Sequence, residues 1–263
     1  MLRIIDARTG EPTPAAPARR APTRVEAHVR GRDAGALRVL LVADLLMRAL
    51  ELDGTPAWAV LTGTAEADRL RKDAAALGIR PFEDGAATGH GPGTGQGVRV
   101  VAEATAAGAV ELVAEGEDEG GADGDEDGRD ETTVAVAPVR PAALDLESDL
   151  ADPDAVRLAL LERQHHARVE LDATALDEAR DALARLRRAV ADWARHPSRP
   201  VPVEVRDRLR AAWEDDLDAP GVLRLLRRVE TDPDLADGAR FEICAYADRF
   251  LGLHLTRDVG SPP

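Results

Sequence analysis

Between Leu37 and Leu52 the chain carries a helix-length run that is apolar on nearly every side, and few architectures can house such a run. Leu37, Leu40, Leu41, Leu45 and Leu52 keep helical spacing, while Val39, Val42, Leu46, Met47 and Leu50 fill most of the remaining circumference. A helix of this kind is buried from all directions rather than laid on a surface. Asp44, Arg48 and Glu51 make its polar stripe, with Asp44 and Arg48 at the i, i+4 spacing of a weakly stabilising ion pair. Those charges and the shortness of the run argue against a membrane span. Before it, residues 24–29 alternate Val25, Ala27 and Val29 with Glu26 and His28, the period of a strand, and a polar turn (Gly31 to Ala36) joins the two. After it, residues 56–61 read as a second strand and residues 66–77 as a second helix closed by Gly78. Strand, turn, helix, strand, helix is the opening of a parallel α/β unit.

A chain of 263 residues supports one or two domains with real cores. Aromatic residues are only 3%, so the packing rests on Leu, Val and Ala. The formal charge of −15 argues against a general nucleic-acid binder, but residues 115–131 alone hold −9 of it, ten acids against Arg129. That run is expected to be a solvated, mobile loop; Asp123 to Gly128 matches the first half of a calcium loop, yet Val134 stands where the bidentate Glu belongs. Residues 85–97 alternate glycine with small residues around His90 but lack a Gly-Lys-Ser/Thr ending, and read as a flexible loop. Residues 98–101, 109–113 and 132–136 are short strand candidates around these loops, suggesting an antiparallel hairpin. Residues 1–23 read as a short edge strand and a Pro-rich connector. Cys244 is the sole cysteine, which excludes an intrachain disulfide and a multi-cysteine zinc site. No leader is apparent, so the cytoplasm is the expected compartment.

From Asp152 the pattern is helical throughout. Asp152-Pro153 caps a first helix; Leu176, Ala179, Leu183, Leu186, Val190 and Trp193 repeat at spacings of three and four; Asp218-Ala219-Pro220 and Asp232-Pro233 open two more. The expected fold is therefore α/β plus all-α, a reduced Rossmann-like unit over residues 24–140 followed by an antiparallel helical bundle over 150–257. His165-His166 invite a metal reading, but neighbours in a helix point about 100° apart and do not readily share one ion, so a structural role is expected. Arg187-Arg188 and Arg227-Arg228, interleaved with acids, read as solvated helix faces.

Several blocks resemble the cysteinyl-tRNA synthetases and the related ligase that joins cysteine to the mycothiol precursor sugar, of the class I aminoacyl-tRNA synthetase family. Residues 152–161 (Asp-Pro-Asp-Ala-Val-Arg-Leu-Ala-Leu-Leu) look like the start of that family's helical domain, and residues 215–220 like the acidic turn before a later helix. Residues 37–51 are similar to the helix after the family's nucleotide signature, and residues 74–81 to a segment farther on. The resemblance places Asp33-Ala34-Gly35-Ala36 where the family has His-Ile-Gly-His, so Asp33, Gly35 and the adjacent Arg32 stand at a remnant nucleotide turn. It also implies a Lys-Met-Ser-Lys-Ser loop, whereas Lys72 is the sole lysine and lies in another helix, and a zinc site needing two cysteines. A carboxylate in place of a phosphate-facing histidine repels polyphosphate. The expectation is a non-catalytic binding or regulatory relative with no catalytic residue, no zinc, ATP as a residual ligand at most, and a macromolecular partner. Two other readings stay open: a ligase-like enzyme with Arg30, Arg32 and Arg38 replacing the lost cations over a rebuilt pocket, and an RNA-binding module that keeps the helical surface for tRNA.

Overall fold

The computed structural model describes residues 1–18, 22–85, 96–103, 132–140 and 152–260. Its centre is α1 (Ala34–Leu52), whose residues Leu37, Leu40, Leu41, Leu46 and Leu50 are at most 1% exposed. The helix starts earlier than its leucine spacing suggests because Asp33 caps it, accepting the Ala36 amide at 2.7 Å. One side of α1 lies on a five-stranded parallel sheet in the order β5 (Glu83–Asp84), β4 (Ala57–Thr62), β3 (Thr23–His28), β6 (Gln96–Ala102), β7 (Thr132–Val136). α2 (Ala67–Ala76), β8 (Val139–Arg140) and the last helix, α7 (Asp237–Leu251), contact other sides, which is why the helix is apolar all round.

Val25 and Ala27 of β3 and Val98 and Val100 of β6 are fully buried in this core. β6 and β7 pair in parallel, with Val98 opposite Thr132, so an antiparallel hairpin between these two strands is corrected: a tight return cannot produce a parallel pair. The 109–113 strand candidate, the acidic run and most of the glycine-rich stretch lie outside the described residues. β1 (Arg3–Ile5) is not an edge of the main sheet; it pairs antiparallel with β2 (Pro12–Pro14), inside the stretch read as a connector, and bridges to Asp215.

Beyond Asp152 come α3 (Pro153–Leu161), β9 (Val169–Glu170), α4 (Ala173–Trp193), α5 (Val203–Glu214), α6 (Ala219–Thr231) and α7. Asp152, Asp172 and Asp218 cap α3, α4 and α6 through their carboxylates. α7 begins at Asp237 rather than at Asp232-Pro233, because residues 232–236 form a turn first. β9 pairs with β8 in a separate two-stranded sheet.

A buried ionic hub ties the helical region to the sheet. Asp44 of α1, 1% exposed, accepts from Arg48 at 2.8 Å, from Arg157 of α3 at 2.9 Å and from Arg80 at 3.0 Å. Arg157, fully buried, also donates to the carbonyls of Leu251 and Leu77. The Asp44–Arg48 pair is thus one part of a buried network and not the isolated i, i+4 pair its spacing suggested.

Candidate functional site

In an open parallel sheet the binding crevice lies beyond the carboxyl ends of the strands, where the strand order reverses. Here the chain runs from β3 outward through β4 to β5, then returns to place β6 on the other side of β3. The crevice therefore opens at His28, the last residue of β3, between Thr62 of β4 and Val101 of β6. Arg24, Glu26 and His28 share the sheet face opposite Val25 and Ala27, since side chains alternate along a strand.

The polar groups on this face form a chain. Thr62 Oγ1 donates to Glu26 Oε1 at 2.9 Å, so its lone pair faces His28 Nδ1 at 3.1 Å and receives that ring proton. The Nε2 atom of His28 is then the unprotonated nitrogen, and burial, the Arg99 and Arg30 cations outweighing Glu26, lowers the imidazole pKa. Glu26 is itself held by Arg24 at 2.5 Å and Arg99 at 3.4 Å. Gly63, at φ +86°, is required beside it: a Cβ there would lie 2.6 Å from both His28 Cε1 and the Val29 carbonyl oxygen. His28 and Thr62 escaped the sequence reading. In the structure each ends its own strand, one residue away from the end read in the sequence, and the register pairing them is not visible from either strand alone.

The three residues of the expected nucleotide turn are adjacent but internally engaged. Asp33 turns its carboxylate back onto the Ala36 amide of α1. Arg32 forms a two-point contact with the buried Asp73 of α2, at 2.5 and 3.0 Å. Gly35 leaves room for the cap, because a Cβ would meet Asp33 Oδ1 at 3.2 Å. Of the proposed replacement cations, Arg30 is exposed, whereas Arg38 is buried and donates to the carbonyls of Ala137 and Gln164 at 2.7 and 2.8 Å. Burial lowers Arg38 to about 10, which leaves it cationic at neutral pH. A cavity beside Arg38, lined by Leu41, Leu160, His165 and Leu217, has a volume of about 10 Å³, room for roughly one water and not a nucleotide.

Elsewhere, Cys244 is fully buried in α7, and burial pushes its thiol up to about 12, so it is an inert core group. Arg187 is not on a solvated face: it is 3% exposed and donates to Asp154 at 2.6 Å and to the Leu253 carbonyl. Arg227 pairs with Glu162, and Arg188 reaches its own helix at Ala184. His165 and His166 follow α3 in a turn rather than in a helix, so the argument that they diverge does not apply; both approach Asp216. Among the described residues no helix is long and apolar enough to cross a membrane.

No family model matches the chain. Comparison with curated proteins finds L-cysteine:1D-myo-inositol 2-amino-2-deoxy-alpha-D-glucopyranoside ligases. That of Acidothermus cellulolyticus is 45% identical over 107 residues, covering 40% of this chain and 25% of the ligase. That of Parafrankia sp. is 51% identical over 73 residues, covering 28% and 16%, and that of Streptosporangium roseum 39% identical over 113 residues, covering 40% and 26%. The matches thus span about a quarter or less of each relative's length. Together with the parallel sheet followed by a helical region, they make this chain a partial homologue of the mycothiol cysteine ligases, enzymes akin to the class I aminoacyl-tRNA synthetases.

Proposed function

We propose that this chain is a non-catalytic relative of the cysteine ligases that acts as a binding or regulatory protein with a macromolecular partner. The observation that carries the reading is the closed state of the turn before α1. Asp33 occupies the helix N-terminus with its own carboxylate, and Arg32 is committed to Asp73. A helix N-terminus attracts phosphate through free amides and its positive dipole end; a carboxylate already seated there competes for the amides and repels the anion. A cytoplasmic location and a tRNA-type ligand for the helical surface belong to this proposal as further expectations.

One observation favours the alternative of a rebuilt active site: the Glu26–Thr62–His28 chain leaves an unprotonated imidazole nitrogen at the carboxyl end of the sheet, the raw material of a general base. A thermal-shift panel of ATP, cysteine, a cysteinyl-adenylate analogue and tRNA separates the two. A ligand present at about 100 times its Kd stabilises by about 2.7 kcal/mol, an easily read rise in the melting midpoint. The binding-protein reading expects no response to the adenylate analogue. A saturable rise with that analogue, lost in His28→Ala, would establish the rebuilt site instead.

A further inference from the structure

Two turns distant in sequence bring two imidazoles and a carboxylate to one point: the turn after α3 supplies His165 and His166, and the turn between α5 and α6 supplies Asp216. We propose that His165, His166 and Asp216 bind a single divalent transition-metal ion, with Zn²⁺ the best match. Their ligand atoms lie within 4.8 Å of one another, His165 Nε2 at 3.1 Å from Asp216 Oδ1 and His166 Nδ1 at 3.5 Å from Asp216 Oδ2. Ligands held tetrahedrally at about 2.0–2.1 Å from zinc are about 3.3 Å apart, so these are the separations of neighbouring ligands on one ion.

The hydrogen bonding points the same way. His165 and Asp216 are 7% and 6% exposed, yet His165 Nε2 and Asp216 Oδ2 make no well-directed hydrogen bond; their polar neighbours are the other members of the cluster, Asp216 Oδ1 at 3.1 Å from Nε2 and His166 Nδ1 at 3.5 Å from Oδ2. Buried polar atoms are nearly always satisfied, so two orphans facing one point mark a missing partner. His165 Nδ1 and the Asp216 carboxylate are already held in place as a metal site requires. His165 Nδ1 lies 3.2 Å from the Ala135 carbonyl, which sets the tautomer that presents the Nε2 lone pair, and the Ile5 amide donates to Asp216 Oδ1 at 3.0 Å. A lone pair facing a carboxylate calls for a cation between them.

Asp216 and Leu217 sit at φ +51° and +57°, two consecutive left-handed residues without a glycine. Such strain persists where the surroundings over-determine it, and here it aims the carboxylate at the histidines. His166 is exposed, leaving a route for the ion and a coordination position for water. Two imidazole nitrogens with one carboxylate favour zinc and its neighbours over calcium or magnesium, which take oxygen ligands.

The test uses the tag-free full chain, stripped with a chelator and titrated with Co²⁺, whose visible ligand-field bands report inner-sphere nitrogen ligation. The expected result is saturation at one ion per chain, displacement by equimolar Zn²⁺ and a higher melting midpoint with Zn²⁺. His166→Ala removes an exposed side chain and should keep the fold while weakening the affinity at least about tenfold. Asp216→Asn should do the same, and His196→Ala, a histidine far along the chain from the cluster, should bind like the parent. Absence of one-to-one binding, or binding unchanged in both His166→Ala and Asp216→Asn, would overturn the site and leave His165 and Asp216 as a plain ion pair.

Discussion

Asp44 shows how one side chain decides the fate of several others. Burial alone would raise its carboxyl pKa, but the Arg157 and Arg48 cations outweigh that and hold it below the usual carboxylate range. The same balance, led by Arg187 against burial, holds Asp154 low. A carboxyl whose folded pKa lies below its unfolded value contributes stability above the unfolded pKa, near 4, and loses it as pH falls through the folded value. Urea midpoints are therefore expected to hold steady at neutral pH and to fall once pH drops below about 4. Removing the charge at neutral pH is harsher, since Asp44→Asn leaves Arg157 buried and uncompensated. The expected loss is about 3–5 kcal/mol, read as a lower urea midpoint at unchanged slope. Gly252 closes the same hub: at φ +62° it ends α7, and a Cβ would press to 2.7 Å from an Arg157 guanidinium nitrogen. Gly252→Ala is expected to destabilise by more than the roughly 1 kcal/mol of left-handed backbone strain alone, because the guanidinium must also move.

At the scale of elements, α1 and its neighbours β3, β4 and α2 were legible, and the partners that reach it from far along the chain were not. An all-round apolar helix announces its own burial, and Leu40→Ala is expected to cost about 2–5 kcal/mol in chemical denaturation, the range for a leucine that leaves a cavity. Asp33→Ala removes the cap and is expected to cost about 1 kcal/mol, with little change elsewhere. The capping aspartates at 152 and 218 were equally plain, because a cap is a local contract between a carboxylate and an amide three residues on. What stayed hidden were the long-range pairings. Asp44 and Arg48 read as no more than a weak local pair because Arg157 stands more than a hundred residues away, and the strand candidates around the acidic run suggested an antiparallel hairpin because strand patterns carry no direction. His165 and His166 were set aside on helical geometry, and the turn that replaces the helix is held by contacts from Ala135, Ala137 and Asp216 that no local window contains.

The whole molecule joins its two kinds of architecture through one apolar core, in which α1 meets the sheet on one side and α7 on another. The ionic hub and the β8–β9 pair bind the same halves again. This arrangement keeps a Rossmann-like parallel sheet, while the turn before α1 is spent on capping and on the Arg32–Asp73 contact. Activation of an amino acid needs donors placed where phosphate charge develops, and losing one such donor costs about 10²–10³ in rate. The most direct measurement is cysteine-dependent ATP–pyrophosphate exchange with the purified chain, run beside Arg32→Ala and Asp33→Ala. The binding-protein account predicts no exchange above background in any of the three. Robust exchange by the parent that disappears in the Arg32 and Asp33 variants would contradict it and assign the turn a catalytic role.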